Sequence, residues 1–300
     1  MKRALCLMLM AVVCLATAPA AAGGLADMTQ EELTAWMHAY NEQLAAAGAD
    51  YALDGIEFFT IGQGRPSNRI HQQPFRWVAG DARRLAGVFA PPNDISYHSD
   101  SDNNPLSPLL PFPLGEVGSA MSTWDTNKCL KKVAVVANPT FGPAIPHTVF
   151  GDTTIFDEIF CPVGDSGGPA DGFPFVSDIV HAGWYPAGCF GPNTLAFSVT
   201  FIFGGGSPFV PPDINGDNRL DTALNEVYYN DAFPWMTGAA PLPDFDVETV
   251  ALHEAGHSLG IGHFGPPPSA IMNPIYAGAN TSLAPADQAG MCTVWASWPK

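Results

Sequence analysis

Residues 253–263 read HEAGHSLGIGH, with the spacing H-E-x-x-H-x-x-G-x-x-H. On a helix, residues four apart share a face, so His253 and His257 can present two imidazole nitrogens to one metal ion. Glu254, beside the first of them, stands where a carboxylate can take a proton from a metal-bound water. Gly260 lets the chain leave the helix, because glycine adopts positive φ at little cost. The turn it permits can bring His263 back as a third ligand. Three neutral imidazoles with one position open are the donor set of a catalytic zinc site; structural sites close all four positions.

A second marker follows at once, Ser269-Ala-Ile-Met272-Asn-Pro-Ile-Tyr276. The long histidine motif followed by a Met-bearing turn resembles the metzincin zinc proteases, and Tyr276 four residues after Met272, within M-x-P-x-Y, resembles their matrixin branch. The resemblance spans roughly residues 94–298 and is most specific over 253–276. It implies an α+β fold: a twisted mixed sheet, about three helices and a cleft between an upper and a lower lobe. It also implies zinc on His253, His257 and His263, Glu254 as general base, Met272 as an apolar floor and Tyr276 in the wall of a substrate pocket. A matrixin pro-domain often blocks the zinc with a cysteine thiolate. No cysteine lies between Gly23 and Lys128, so that latch is absent.

The N-terminus, MKRALCLMLMAVVCLATAPAAAGG, has two basic residues, an apolar run and small residues in A-x-A patterns. That is the composition of a secretory signal peptide over residues 1–22. A secreted, extracellular protein with no membrane span is expected. Cys6 and Cys14 leave with the signal. Cys129, Cys161, Cys189 and Cys292 remain, an even set that reads as two disulfides with three connectivities open. The whole chain carries 12 Lys and Arg against 29 Asp and Glu. Without Lys2 and Arg3 the balance is ten against 29, a net of −19. Such a charge argues against nucleic acid and anionic membranes as partners. The partner expected is a protein or peptide substrate, and the chain is read as a monomer.

Residues 28–48 read as an amphipathic helix opened by the capping box Thr29-x-x-Glu32 and closed by Gly48, with Leu33, Trp36, Met37, Tyr40 and Leu44 in one stripe. A strand is expected over 55–61. This helix–strand unit, residues 23–65, precedes the catalytic domain expected at 66–300 and reads as a pro-segment or an N-terminal embellishment. Further expectations are a short strand near Phe75–Val78, a strand over Asp94–His98, and a helix over Gly115–Thr126. The apolar run Lys131–Ala137 reads as a central strand. Residues 138–195 are Gly- and Pro-rich with few periodic runs. Strands are expected over Leu195–Phe203 and Leu224–Tyr229, the latter resembling the matrixin edge strand that borders the cleft and pairs with substrate. The zinc helix is expected from an Asp246 N-cap to Leu259, and a last helix over Pro285–Ser297. His98 reads as solvated, and His147 and His181 as structural.

Two other motifs carry chemistry. Gly164-Asp-Ser166-Gly-Gly-Pro169 resembles the nucleophile loop of trypsin-like serine proteases. Neither His71 nor His98 sits in the segment that would supply its base, so a Gly-rich loop is the preferred reading. Asp213, Asn215, Asp217 and Asp221 have the spacing of a calcium loop, although Asn218 replaces its turn glycine and Leu224 its bidentate glutamate. The leading expectation is a zinc-dependent endopeptidase, with calcium as a second ion. The alternatives are a serine protease using Ser166 and a non-catalytic module braced by zinc and calcium.

Overall fold

The computed structural model describes residues 24–46, 48–62, 73–84, 93–100, 112–126, 129, 133–145, 156, 160–161, 177–204, 211–238, 242–265 and 270–295. The signal-peptide segment, His71, His147 and Ser166 with its loop lie outside the described residues.

One mixed sheet organises the fold. Its strands are β1 (Tyr51–Thr60), β2 (Phe75–Arg76), β3 (Ile95–Asp100), β4 (Val135–Ala137), β5 (Ala144–Ile145), β6 (Ile179–Tyr185), β7 (Thr194–Phe203) and β8 (Leu220–Asn230). The path across the sheet is β1-β7-β8-β6-β3-β4, with β2 on β8 and β5 on β3. The β1/β7 and β7/β8 pairs are antiparallel, and the rest are parallel. A small parallel pair, β9 (Trp235–Met236) and β10 (Phe245–Asp246), leads into the zinc helix. The helices are α1 (Gln30–Ala46), α2 (Leu114–Asp125), α3 (Val247–Ser258) and α4 (Pro285–Trp295). This is the α+β class expected, and α2–α4 fall within residues 66–300, where the catalytic domain was expected.

The period-two alternation of β7 divides the core into two layers. Phe197, Val199, Phe201 and Phe203 turn to one face, where α1 covers them with Leu33, Trp36, Tyr40 and Leu44. Ala196 belongs to the other layer, with Met121 and Trp124 of α2, Val250, Leu252 and Ala255 of α3, and Met291 and Trp295 of α4. The α1 capping box forms as its spacing requires. The Thr29 amide donates to Glu32 Oε2 at 2.8 Å, and the Glu32 amide to Thr29 Oγ1 at 3.3 Å. Disulfides join Cys129 to Cys292, fixing α4 to the segment after α2, and Cys161 to Cys189. The two bridges use all four cysteines expected to pair, in one of the three connectivities left open.

Three expectations are corrected, and a segment read as having few periodic runs proves to hold a strand. The run Lys131–Ala137 yields a three-residue strand at the outer end of the sheet, not a central one. Val133 and Val135 are buried but Ala134 and Val136 are only half-buried, as suits an edge. β8 is not the edge that borders the cleft: it lies between β7 and β6. Residues 138–195 contain a fully buried interior strand, β6. Its periodicity is broken because Gly183, at φ 87°, sits in a register shift between His181 and Trp184, the signature of a bulge. Finally, His98 is not solvated but fully buried in β3, beside His181, whose Nδ1 meets the Tyr229 hydroxyl at 2.7 Å. Burial, and then the charge of His98, push the His181 imidazole down to about 3.

Candidate metal centre

α3 begins where Asp246 accepts hydrogen bonds from the Thr249 amide at 2.8 Å and the Thr249 hydroxyl at 2.5 Å, closing the first turn. It ends in a Schellman motif. The Gly260 amide reaches the His257 carbonyl at 2.8 Å and the Ile261 amide the Gly256 carbonyl at 3.0 Å, with Gly260 at φ 89°. That left-handed residue turns the chain so that His263 faces back onto α3. Tryptophans fix the helix from two sides: Trp124 Nε1 donates to the Leu252 carbonyl and Trp77 Nε1 to the Ser258 carbonyl, each at 2.8 Å.

The three imidazoles converge. Nε2 of His253 lies 3.0 Å from that of His257 and 3.1 Å from that of His263, and the His257–His263 pair is 3.0 Å apart. Their other nitrogens are already committed. His253 Nδ1 donates to the Ile271 carbonyl at 2.6 Å and His257 Nδ1 to the Ile261 carbonyl at 2.7 Å. His263 Nδ1 is 3.2 Å from Glu57 Oε2. Donation at Nδ1 leaves a lone pair on each Nε2, so three acceptors face one point with no donor between them. Zinc–nitrogen bonds of about 2.0–2.1 Å in tetrahedral geometry place ligand nitrogens about 3.3 Å apart, close to what is found. Burial, followed by the neighbouring imidazoles, drives His253 well below the usual histidine range. Burial and His263 hold His257 at about 3. Both shifts favour the neutral imidazole that a metal requires.

Glu254, next to His253 in α3, is fully buried, and neither carboxylate oxygen has a hydrogen-bond partner of good geometry. Burial pushes its carboxyl well up and the charge of Glu57 adds to this, with Ser198 acting the other way. An orphaned buried carboxylate is costly, and its persistence next to three convergent lone pairs fits a site built around a cation and its water. Glu57 is the opposite case. Burial raises it, but the His263 hydrogen bond, His257 and Gln73 bring it down to about 2.

Met272 is fully buried. Its carbonyl accepts from the Phe264 amide at 3.0 Å, and its amide and that of Ile271 reach the Asp287 carboxylate of α4 at 3.2 and 2.9 Å. A Cβ placed on Gly256 would strike Met272 Sδ and come within 2.9 Å of Trp124 Cζ2. Gly256→Ala should therefore lower stability. Overpacking two fully buried side chains costs about 1–3 kcal/mol, which outweighs the roughly 1 kcal/mol of helix propensity that alanine gains. Thermal melts should show a fall of a few degrees, and an unchanged or higher Tm would refute the close fit. Tyr276 packs on Phe59 and Phe245, and its hydroxyl accepts from the Asp246 amide at 3.0 Å.

The Asp213–Asp221 loop is closed on itself. Asp213 accepts from the amides of Asp217 (3.1 Å) and Asn218 (2.8 Å), Asn215 from that of Asp217 (3.1 Å), and Asp221 from that of Ile214 (3.2 Å). Arg83 bridges Asp81 and Asp221, at 2.6 Å to each. Asn218 adopts φ 60°, the left-handed conformation a glycine would take at that turn. Among the described residues, His253, His257 and His263 are the one group of three His, Cys, Asp or Glu donors within 4.8 Å of one another.

Sequence reasoning missed Glu57 and Phe59. The signal was a lone acid among apolar residues in Ile56-Glu-Phe-Phe59, which nothing local relates to a histidine two hundred residues on. With this geometry in hand, comparison with known families finds that the family model described as matrixin matches residues 207–296.

Proposed function

From a chain that is matrixin-like over residues 207–296 and holds the histidine triad of a zinc metalloprotease, we propose a secreted endopeptidase in which Glu254 is the general base. The observation that carries the reading is the convergence of three Nε2 lone pairs beside an unpartnered buried carboxylate. His253, His257 and His263 would hold the zinc, which when bound polarises the scissile carbonyl and acidifies water. The chain's own residues do the rest. Glu254 takes a proton at its carboxylate and returns it to the departing amine. The Ile271 and Ile261 carbonyls and Glu57 keep each imidazole in the tautomer that binds through Nε2. Met272 closes the floor, and Tyr276 stands in the wall of the pocket beside it.

Export is supported by the basic-apolar-small N-terminus and by the two disulfides. No described helix is long and apolar enough to cross a membrane. Calcium on Asp213, Asn215, Asp217 and Asp221 is supported by their spacing and the left-handed Asn218 alone, since Arg83 already neutralises Asp221. A monomer acting on protein or peptide substrates completes the reading.

The test is casein hydrolysis with metal analysis. Purified protein should carry one zinc per chain, lose both zinc and hydrolysis to 1,10-phenanthroline, and recover both on zinc addition. His257→Ala should bind none. Hydrolysis that survives chelation but stops with a serine-directed reagent would sink the proposal and return attention to Ser166.

A further inference from the structure

We propose that Asn225 and Ser258 are positioning residues for Glu254, a buried hydrogen-bonded link from the sheet to the zinc helix that sets the direction of the general base. The inference rests on the endopeptidase reading above and assigns two further residues to its chemistry.

The link is built from three side chains. Thr200 of β7 and Asn225 of β8 are directly opposite in the antiparallel register, and Asn225 Nδ2 donates to Thr200 Oγ1 at 2.9 Å. Asn225 Oδ1 accepts from the Ser258 hydroxyl at 2.5 Å. That hydroxyl also lies 3.0 Å from the backbone carbonyl of Glu254, one helical turn earlier. Ser258 is itself pinned, since its carbonyl accepts from Trp77 Nε1 at 2.8 Å. All three side chains of the link are buried.

The steps of helix and strand keep Glu254 over the same track. Two residues along a strand advance about 6.6 Å, and four along a helix about 6 Å. Ser198, two residues before Thr200 on the same face of β7, is therefore placed toward Glu254 as Thr200 and Asn225 are toward Ser258. The influence of Ser198 on the Glu254 carboxyl agrees with this.

Stability alone does not call for such a link. Around it the interface is apolar, with Val250, Ala251 and Ala255 of α3 in one cluster with Ala196 and Val227 of the sheet. Replacing both partners of a buried hydrogen bond by apolar groups of the same shape is nearly neutral, so apolar side chains would hold the helix down equally well. What they would not supply is direction. A carboxylate about 5–6 Å from the helix axis moves about 1 Å when the helix rolls by about 10°. A misplacement of about 1 Å costs up to about 10²-fold in rate. Glu254 takes its direction from its backbone, because neither of its carboxylate oxygens has a partner of good geometry. The imidazoles are aimed separately, by the Ile271 and Ile261 carbonyls and Glu57. The link therefore aims the base without holding the metal ligands.

The experiment compares full-length, zinc-loaded wild type with Ser258→Ala and Asn225→Ala, each also in the Glu254→Gln background. Hydrolysis of a quenched fluorescent peptide gives kcat and KM. Anisotropy gives the affinity for a fluorescein-labelled tripeptide hydroxamate, whose acidic hydroxyl needs a carboxylate acceptor beside the metal. Each single variant should lower kcat by at least about tenfold with KM changed less than about twofold, the pattern of an interaction made only in the transition state. Hydroxamate affinity should fall in parallel, and zinc should stay at one per chain. In the Glu254→Gln background neither substitution should cost more than about twofold in either measurement, because a residue that acts through another is non-additive with it. A merely structural residue would lower both backgrounds alike, and equal losses in the two would overturn the proposal. So would a kcat within about twofold of wild type in folded variants, or a loss that follows zinc content. Ser258→Ala deletes a single oxygen and decides alone if circular dichroism shows Asn225→Ala to be unfolded. Wild type that hydrolyses no peptide, or still hydrolyses it after chelation, would sink the endopeptidase reading and the link with it. Active wild type with an unaffected Ser258→Ala would sink the link alone.

Discussion

Glu254→Gln should lower kcat/KM by about 10²–10⁴-fold, the range lost when a positioned general base is removed. Zinc content should stay at one per chain, because Glu254 is not a ligand and the three imidazoles are held from outside by the Ile271 and Ile261 carbonyls and Glu57. The melting temperature should hold or rise. A fully buried carboxylate with no partner is a burden on the fold, and glutamine keeps its shape without its charge. Activity and stability moving in opposite directions is the mark of a residue kept for chemistry. A variant that lost activity only together with zinc or with Tm would instead make Glu254 a structural neighbour of the site. Kinetics, metal analysis and thermal melts on one preparation separate the outcomes.

The metal centre was legible in the sequence because its ligands are local. His253 and His257 are four apart on one helix, and a single left-handed glycine, Gly260, brings in His263. The floor at Met272 follows within ten residues. What was illegible is what arrives from a distance. Glu57 reaches His263 and Phe59 reaches His253 only because β1 pairs with the edge of β7, and no pattern within YALDGIEFFT states which strand it will join. Position in a sheet is likewise non-local: KKVAVVA looked central and proved peripheral, and LNEVYY looked like an edge and proved internal. β6 escaped because the Gly183 bulge breaks the alternation by which strands are recognised. Interior polar groups were the least visible. His98, in an apparently solvated ISYHSD segment, and Arg84, in a segment without periodicity, are both buried, and Arg84 is received by Asp178 just before β6.

Arg84 and its partner carry the second large effect. The Arg84 guanidinium meets Asp178 through Nε at 2.8 Å to Oδ1 and through Nη2 at 2.5 Å to Oδ2, and Nη2 also donates to the Asp94 carbonyl at 2.6 Å. Asp178 Oδ2 accepts from the amide and the hydroxyl of Ser96, each at 2.8 Å. The Asp178 backbone joins the same junction, its amide donating to the Ser96 carbonyl at 3.1 Å and its carbonyl accepting from the Asn225 amide at 2.9 Å. One pair thus ties the segment before β3, β3 itself, the start of β6 and the middle of β8, away from solvent. Arg84 is 3 % and Asp178 1 % exposed, so removing either charge strands the other in the interior. Breaking such a pair costs about 3–5 kcal/mol, against a total stability of about 5–15 kcal/mol for a folded domain. Asp178→Ala should therefore unfold the protein at moderate denaturant, or leave it insoluble. Arg84→Met with Asp178→Leu should be far milder than either single change would suggest, because neither charge is then left alone. A urea double-mutant cycle measures this directly. Single variants within about 1 kcal/mol of wild type would mean that water reaches the pair, and the junction of β3, β6 and β8 would have to be held by its backbone bonds.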